Sequence, residues 1–201
     1  MVPSFKAGKN DTSNRIDETY YKQVVGSLMY IIATRPYIMF VVNFINRFIG
    51  RPTNLHLQVA KRVLRYLIGT VDYGIFYEKN GNKQLIAFMD SDCAGDIEDK
   101  KSTTGKVFML SGGVVSWSSK KQPIVTLSTI EAEFIVAATC ACQAIWMRRI
   151  LETLNNDQEG CTTLMCDNSS TIKLSKNPIM HGHNKHIDLR FHFLRDLTVI
   201  K

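Results

Sequence analysis

The sequence predicts an α+β fold: a small helical segment, then a mixed sheet made of a three-strand antiparallel meander plus a further strand, with flanking helices. Three observations carry that prediction. Before Tyr73 the apolar residues recur at helical spacing, and after it they fall into short runs broken by Asn80-Gly81 and Gly112-Gly113. A long apolar stretch opened by Ser128 is then followed by one more short run, ending at Asp167.

Residues 1–16 are polar, with Gly8, Lys9, Asn10, Asp11 and Ser13, and read as a flexible leader. Residues 17–72 form the helical segment. A helix begins at Glu18, with Tyr21, Val24, Val25, Leu28, Met29 and Ile32 on an apolar pattern. It stops at Arg35-Pro36, because the residue before a proline avoids the α region. A second helix covers Ile38 to Phe48, and Pro52 breaks the chain. Asn54 then caps a third helix, whose Ala60, Val63, Leu64 and Leu67 recur at i, i+3, i+4 and i+7 until Gly69. Its other face carries Lys61, Arg62 and Arg65, either a solvated face or a set of phosphate contacts.

Residues 73–201 follow a different pattern. Tyr73 to Tyr77 reads as a strand, Asn80-Gly81 as a hairpin turn, and Leu85 to Met89 as a buried strand running into Asp90. Lys106 to Leu110 and Val114 to Ser118 flank Gly112-Gly113, a pair able to take positive φ in a tight turn. Ser128, with Glu131 three residues on, is the signature of a capping box. It opens a helix through Phe134, Ala137, Ala138, Ala141, Ile145 and Leu154. Thr162 to Cys166 is a short strand, and Ser170 to Ser175 and Ile187 to Leu197 are helices.

Composition narrows the function classes. With 201 residues, 45% apolar and 21% charged, the chain can bury a core and is neither disordered nor collagenous. The net charge of +7 favours a polyanionic partner. It is unevenly spread: Met1–Asn80 holds eleven basic and five acidic residues, whereas Gly81–Lys201 holds fourteen and thirteen. The cysteines, Cys93, Cys140, Cys142, Cys161 and Cys166, are odd in number and match no zinc-site spacing. They read as reduced thiols of an intracellular protein, cytoplasmic or nuclear. The apolar region Val24–Ile49 is interrupted by Arg35, Pro36, Asn43, Asn46 and Arg47. A bilayer span needs about 20 mostly apolar residues, so this region reads as buried helices and no membrane is expected as a partner.

Three acids stand out. Asp90 ends an apolar run, Glu133 lies one turn inside the capped helix between Ala132 and Phe134, and Asp167 ends the next strand. Each has an ordinary explanation taken alone, as a solvated strand end or a first-turn glutamate favoured by the helix dipole. Together they sit where a sheet scaffold can converge separate side chains on one point. Converged carboxylates repel one another unless they bind divalent cations, and hard oxygen ligands select Mg²⁺ or Mn²⁺. Two such ions about 3.5–4 Å apart suit in-line hydrolysis of a phosphodiester. Asp92 points to the opposite face from Asp90 if the strand continues, and Glu131 cannot share the face of Glu133. Asp92, Asp96, Glu98 and Asp99 read as a solvated acidic loop.

Several stretches occur in a telling order: Tyr21–Tyr30, Thr34-Arg35-Pro36, Ala60–Leu67, Asp90-Ser91-Asp92, Lys100–Thr103, Ser116–Gln122, Glu131-Ala132-Glu133, Cys166-Asp167-Asn168 and Lys185–Asp188. From about Asp17 to Leu197 the chain resembles the C-terminal part of a reverse transcriptase polyprotein from a copia-type LTR retrotransposon. The resemblance implies a connection segment followed by a ribonuclease H-like domain that cleaves the RNA strand of RNA–DNA hybrids with Mg²⁺ or Mn²⁺. The catalytic and metal-binding carboxylates then fall on Asp90, Glu133 and Asp167. Cys93 stands where the family usually has Trp, Tyr37 where an Asp follows the Arg-Pro pair, and His183 where an Arg is usual. Such polyproteins continue beyond this point with the source of a fourth carboxylate, so the domain is expected to be incomplete at its C-terminus. Asp188 is the nearby substitute. The polymerase palm and its aspartates are not in the sequence, which leaves hybrid cleavage as the expected activity. The alternative is a catalytically impaired remnant that only binds nucleic acid or scaffolds the remaining polyprotein.

Overall fold

The computed structural model describes residues 14–79, 81–176 and 194. The expected Ile187–Leu197 helix, apart from Leu194, lies outside them, as do His183 and Asp188. The chain divides into two compact units, Met1–Ile75 and Phe76–Lys201.

The first unit is helical. Helix α1 (Glu18–Ile31) is capped by Asp17, whose Oδ1 accepts from the Thr19 N–H at 2.9 Å. A 3₁₀ turn at Pro36–Ile38 leads into α2 (Met39–Asn46), and α3 spans Asn54–Ile68. The cap of α3 is Thr53, one residue before the expected Asn54. His56 secures it: its Nδ1 accepts from the Thr53 N–H at 3.0 Å while its buried ring stacks on Phe48. Tyr21, Val25, Leu28, Val42, Ile45, Ala60 and Val63 form one buried cluster between the three helices. Burying each large member contributes about 1.5–3 kcal/mol. The Tyr21 hydroxyl crosses this core to donate to the Ile45 carbonyl at 2.8 Å, and burial raises its pKa. Residues 14–16, expected in the leader, run antiparallel to 52–54 through the Arg15–Thr53 bridge.

In the second unit four strands form one sheet in the order β3-β2-β1-β4. They are β1 (Ile86–Ser91), β2 (Thr103–Leu110), β3 (Gly113–Lys121) and β4 (Thr163–Met165). The first three make an antiparallel meander, while β4 lies parallel to β1. That is the mixed α+β, ribonuclease H-like arrangement the sequence predicts. Helix α4 (Thr129–Thr153) packs on the sheet, and α5 (Ser169–Lys176) follows β4. The α4 cap is half of the expected box: Ser128 Oγ accepts from the Glu131 N–H, but Glu131 Oε2 accepts from the N–H of Leu127, one residue before the cap, rather than from that of Ser128. By length and composition α4 could cross a membrane. Its Cys140, Ala144 and Leu151 are instead buried with Leu85, Ala87 and Phe108, and its Phe134, Ala137 and Ala141 form a second buried cluster with Leu194.

Three details depart from the sequence reading. Residues 73–78 form no strand. The Tyr73 carbonyl accepts from Arg35, and further on Glu78 N–H donates to Ser111 O while Tyr77 Oη donates to Val114 O. The β2–β3 turn is made by Ser111 and Gly112, both at positive φ, and Gly113 already belongs to β3. A Cβ on Gly113 would run into the Tyr77 ring and the Phe76 carbonyl, which is why a glycine stands there. Finally, β1 is only half-buried: Leu85 and Ala87 face the core, but Phe88 is 41% exposed, as is its β4 neighbour Met165 at 48%. A helix covers only one side of this strand among the described residues, so alternation replaces full burial.

The Arg35-Pro36 pair does more than end α1. The Arg35 guanidinium donates to the carbonyls of Thr70, Val71 and Tyr73 and to the Tyr37 hydroxyl, tying the chain beyond α3 to the start of the 3₁₀ turn. Charged donors make the stronger hydrogen bonds, tempered here by solvent access. Replacing Arg35 with Ala should lower stability in urea unfolding of the full chain by about 1–3 kcal/mol, with Arg35→Lys intermediate. An unchanged midpoint for Arg35→Ala would show that water replaces the guanidinium without loss.

Candidate active site

The end of β1 and the second turn of α4 meet at Glu133. This side chain is 4% exposed, and its Oε1 accepts from the Ser91 N–H at 3.1 Å. Gln122 ties the surrounding elements together. Its Nε2 is shared among Ser91 Oγ, Thr104 Oγ1 and the Ala132 carbonyl, at 3.0 to 3.1 Å. β1, β2 and α4 are thereby fixed to one another one residue from Glu133. Asp90 lies beside Ser91, paired with Gly105 of β2, and its side chain is exposed. Asp167 is exposed just beyond β4, before α5, whose first turn is capped by Asn168 Oδ1 accepting from the Ser170 and Thr171 N–H groups.

Glu133, Cys166 and Asp167 each present one ligand atom, and these atoms lie within 4.8 Å of one another. Asp90 stands outside that tight group, yet its charge acts on both Glu133 and Cys166. Burial pushes the Glu133 pKa up, and the negative charges of Asp90 and Asp167 push the same way against the Ser91 hydrogen bond. The Cys166 thiol is also raised, first by burial and then by the carboxylates of Glu133, Asp167 and Asp90. The charges acting on Glu133 are thus both negative. A buried carboxylate facing two others, with oxygen donors at the surface, has the donor chemistry of a divalent-cation site, and the residues fit one.

The structure therefore brings Glu133 and Asp167 together with Cys166, leaves Asp90 outside that group though its charge reaches Glu133, and places Asp188 outside the described residues. Cys166 is the member that sequence reasoning passed over. Its signal was its place immediately before Asp167, at the strand end already singled out. Asp92, Asp96, Glu98 and Asp99 serve the loop after β1. Asp92 Oδ1 accepts from the Thr103 N–H at 2.7 Å, and Lys121 Nζ sits 2.6 Å from Asp96 and 2.8 Å from Asp99. Burial would raise the Asp96 pKa, but Lys121 and the Glu98 and Asp99 N–H groups outweigh it and hold the carboxyl far below its usual range. Two of the loop's four acids are thus paired with one lysine at the end of β3.

Lys61, Arg62 and Arg65 are exposed on α3 of the other unit. They line an open groove of about 840 Å³ together with Tyr37, Phe40 and Tyr66. The aromatic side chains, 44–48% exposed, were not part of the sequence reading because each sits on a different turn or helix.

No family model matches the sequence. Individual proteins do. The chain is 39% identical over 196 residues, 98% of its length, to the retrovirus-related Pol polyprotein from transposon RE1 of Arabidopsis thaliana. It is 41% identical over 180 residues, 89% of its length, to that from transposon TNT 1-94 of Nicotiana tabacum. The chain spans 13% of each of these polyproteins. It also matches the secreted RxLR effector protein 161 of Plasmopara viticola at 41% identity, over 63% of the chain and 90% of that protein. With these similarities spread across both units, the chain belongs to the family of Pol polyproteins of copia-type retrotransposons.

Proposed function

We propose that the second unit is a ribonuclease H-type nuclease that hydrolyses the RNA strand of RNA–DNA hybrids, with Asp90, Glu133 and Asp167 holding Mg²⁺ or Mn²⁺. The observation that carries this is the buried Glu133 with Asp167 beside it and the charges of both Asp90 and Asp167 acting on it. Divalent ions bound there supply the activated water and the charge neutralisation that phosphodiester hydrolysis needs. The protein supplies position. Ser91 N–H fixes one Glu133 oxygen, and Gln122 fixes the strand and helix that carry Ser91 and Glu133. Asp90 and Asp167 present their carboxylates at the exposed rim, where a backbone phosphate can approach. The hybrid substrate rests on kinship with Pol polyproteins.

The test is cleavage of a labelled hybrid by the purified chain. Mg²⁺ should support cutting of the RNA strand, chelation should abolish it, and Asp90→Asn should reduce the rate by about a hundredfold or more, beyond what outer-shell changes around a metal cost. Absent cleavage, or cleavage unaltered in Asp90→Asn, refutes the assignment.

The same cluster sets a pH dependence without metal. The Glu133 pKa is raised from its ordinary 4.5, so above pH 4.5 the folded chain retains a proton that the unfolded chain releases. Stability therefore falls as pH rises from 4.5 through the folded pKa. Urea titrations between about pH 4 and 8 should show this decline, with Mg²⁺ opposing it and Glu133→Gln removing it. A decline equally steep in Glu133→Gln would assign it to another group.

A second reading belongs to the helical unit and is favoured by its groove: a site for single-stranded nucleic acid, with Lys61, Arg62 and Arg65 on phosphates and Tyr37, Phe40 and Tyr66 as stacking surfaces. Replacing all three basic residues with Gln should reduce the slope of log K against log salt by about 2. Tyr66→Ala should weaken binding at every salt concentration and leave the slope in place. A slope insensitive to the triple substitution rules the groove out.

A further inference from the structure

The thiol of Cys166 is the one feature of the carboxylate cluster that hydrolysis with a hard metal does not use. We propose that Cys166, Glu133 and Asp167 form a seat for a thiophilic divalent cation, zinc or cadmium, with the Cys166 sulfur as a direct ligand. This shares carboxylates with the nuclease reading but does not depend on it.

Mg²⁺ takes oxygen ligands and gains nothing from sulfur, whereas Zn²⁺ and Cd²⁺ bind thiolate together with carboxylate. Cys166 Sγ lies 3.9 Å from Glu133 Oε2, and the three ligand atoms fall within 4.8 Å of one another. A tetrahedral zinc site holds such atoms about 3.5 Å apart, so side-chain rotation alone can close the difference. The set is also anchored. Glu133 is 4% exposed with its Oε1 held by the Ser91 N–H, which leaves Oε2 directed at the thiol. On binding, the Cys166 S–H bond breaks, sulfur keeps the electron pair as it bonds to the cation, and the proton passes to solvent. One thiolate and two carboxylates leave the fourth position of a tetrahedral ion open to water. Cys140 is buried, while Cys93, Cys142 and Cys161 are exposed and belong to no such group among the described residues, so they serve as internal references.

Alkylation of the full chain with iodoacetamide, read cysteine by cysteine by peptide mass, tests this directly. At a Cd²⁺ concentration about ten times its dissociation constant, alkylation of Cys166 should slow about tenfold, while the exposed cysteines react as before. Equimolar Mg²⁺ should give no comparable protection. Glu133→Gln and Asp167→Asn, isosteric changes checked for folding by circular dichroism, should each remove most of the effect. Cys166 reacting at the same rate with and without Cd²⁺ overturns the proposal, and so does protection that survives both substitutions. Hybrid cleavage measured on the same preparation separates the two readings: a chain that never cuts RNA but whose Cys166 is shielded by Cd²⁺ loses the nuclease and keeps the thiophilic seat.

Discussion

A carboxylate buried inside a protein has to be compensated, and much of the second unit is arranged around the way Glu133 is compensated only in part. One backbone N–H, from Ser91, reaches it. The Cys166 thiol adds a longer contact to Oε2 at 3.9 Å, and two such bonds from neutral donors offset a fraction of what burying a charge costs. The two nearest charges make matters worse, since Asp90 and Asp167 are both negative. Elsewhere in the same unit an acidic group receives the opposite treatment, with Lys121 held between Asp96 and Asp99. The contrast within one small domain is informative: acids that shape a loop are given a lysine, whereas none of the groups that shift Glu133 is a cation.

Holding such a cluster together demands rigidity nearby, and the structure provides it with neutral groups. Gln122 bonds to β1, β2 and α4 at once, and the Ser128 hydroxyl caps the start of the helix that carries Glu133. Neither adds charge to the site. Amide and hydroxyl groups can lock geometry without altering the electrostatic balance that favours a cation. The Cys166 thiol is of the same kind, a neutral group that touches Glu133 without neutralising it.

Local signals in the sequence proved legible where one short stretch determines the outcome. The Ser128 cap, the apolar faces of α1 and α3, and the strands around Asp90 and Asp167 all follow from spacing that a few neighbouring residues enforce. What was not legible depended on contacts between distant residues. Tyr73 to Tyr77 has the composition of a strand, but hydrogen bonds from Arg35 and to Ser111 and Val114 hold it otherwise. The Gly112-Gly113 pair invites a turn at both positions, yet it is the Tyr77 ring that reserves Gly113 for the strand. His56 could not be recognised as a cap partner without knowing that Phe48 stacks on it. For the site, the three carboxylates were readable because each ends or begins an element. Cys166 was not, because its spacing to the other cysteines matches no metal site, and only the fold brings its sulfur near Glu133 and Asp167.

Charge distribution follows the same division. The +7 of the whole chain suggests a general affinity for polyanions, but eleven basic residues against five acidic ones in Met1–Asn80 place nearly all of the excess outside the sheet domain. There Lys61, Arg62 and Arg65 lie among exposed aromatic rings, where positive charge draws in a phosphate backbone and flat rings accept bases of any identity. The near-neutral second unit cannot rely on such attraction, and its exposed carboxylates repel a phosphodiester. In the proposed function, a cation at the cluster would remove that repulsion at the place where the backbone must come closest, so metal occupancy would govern approach of the substrate as well as its chemistry. On the proposed reading, a long-range basic surface on one unit and a short-range carboxylate site on the other would divide affinity from reactivity along a single chain.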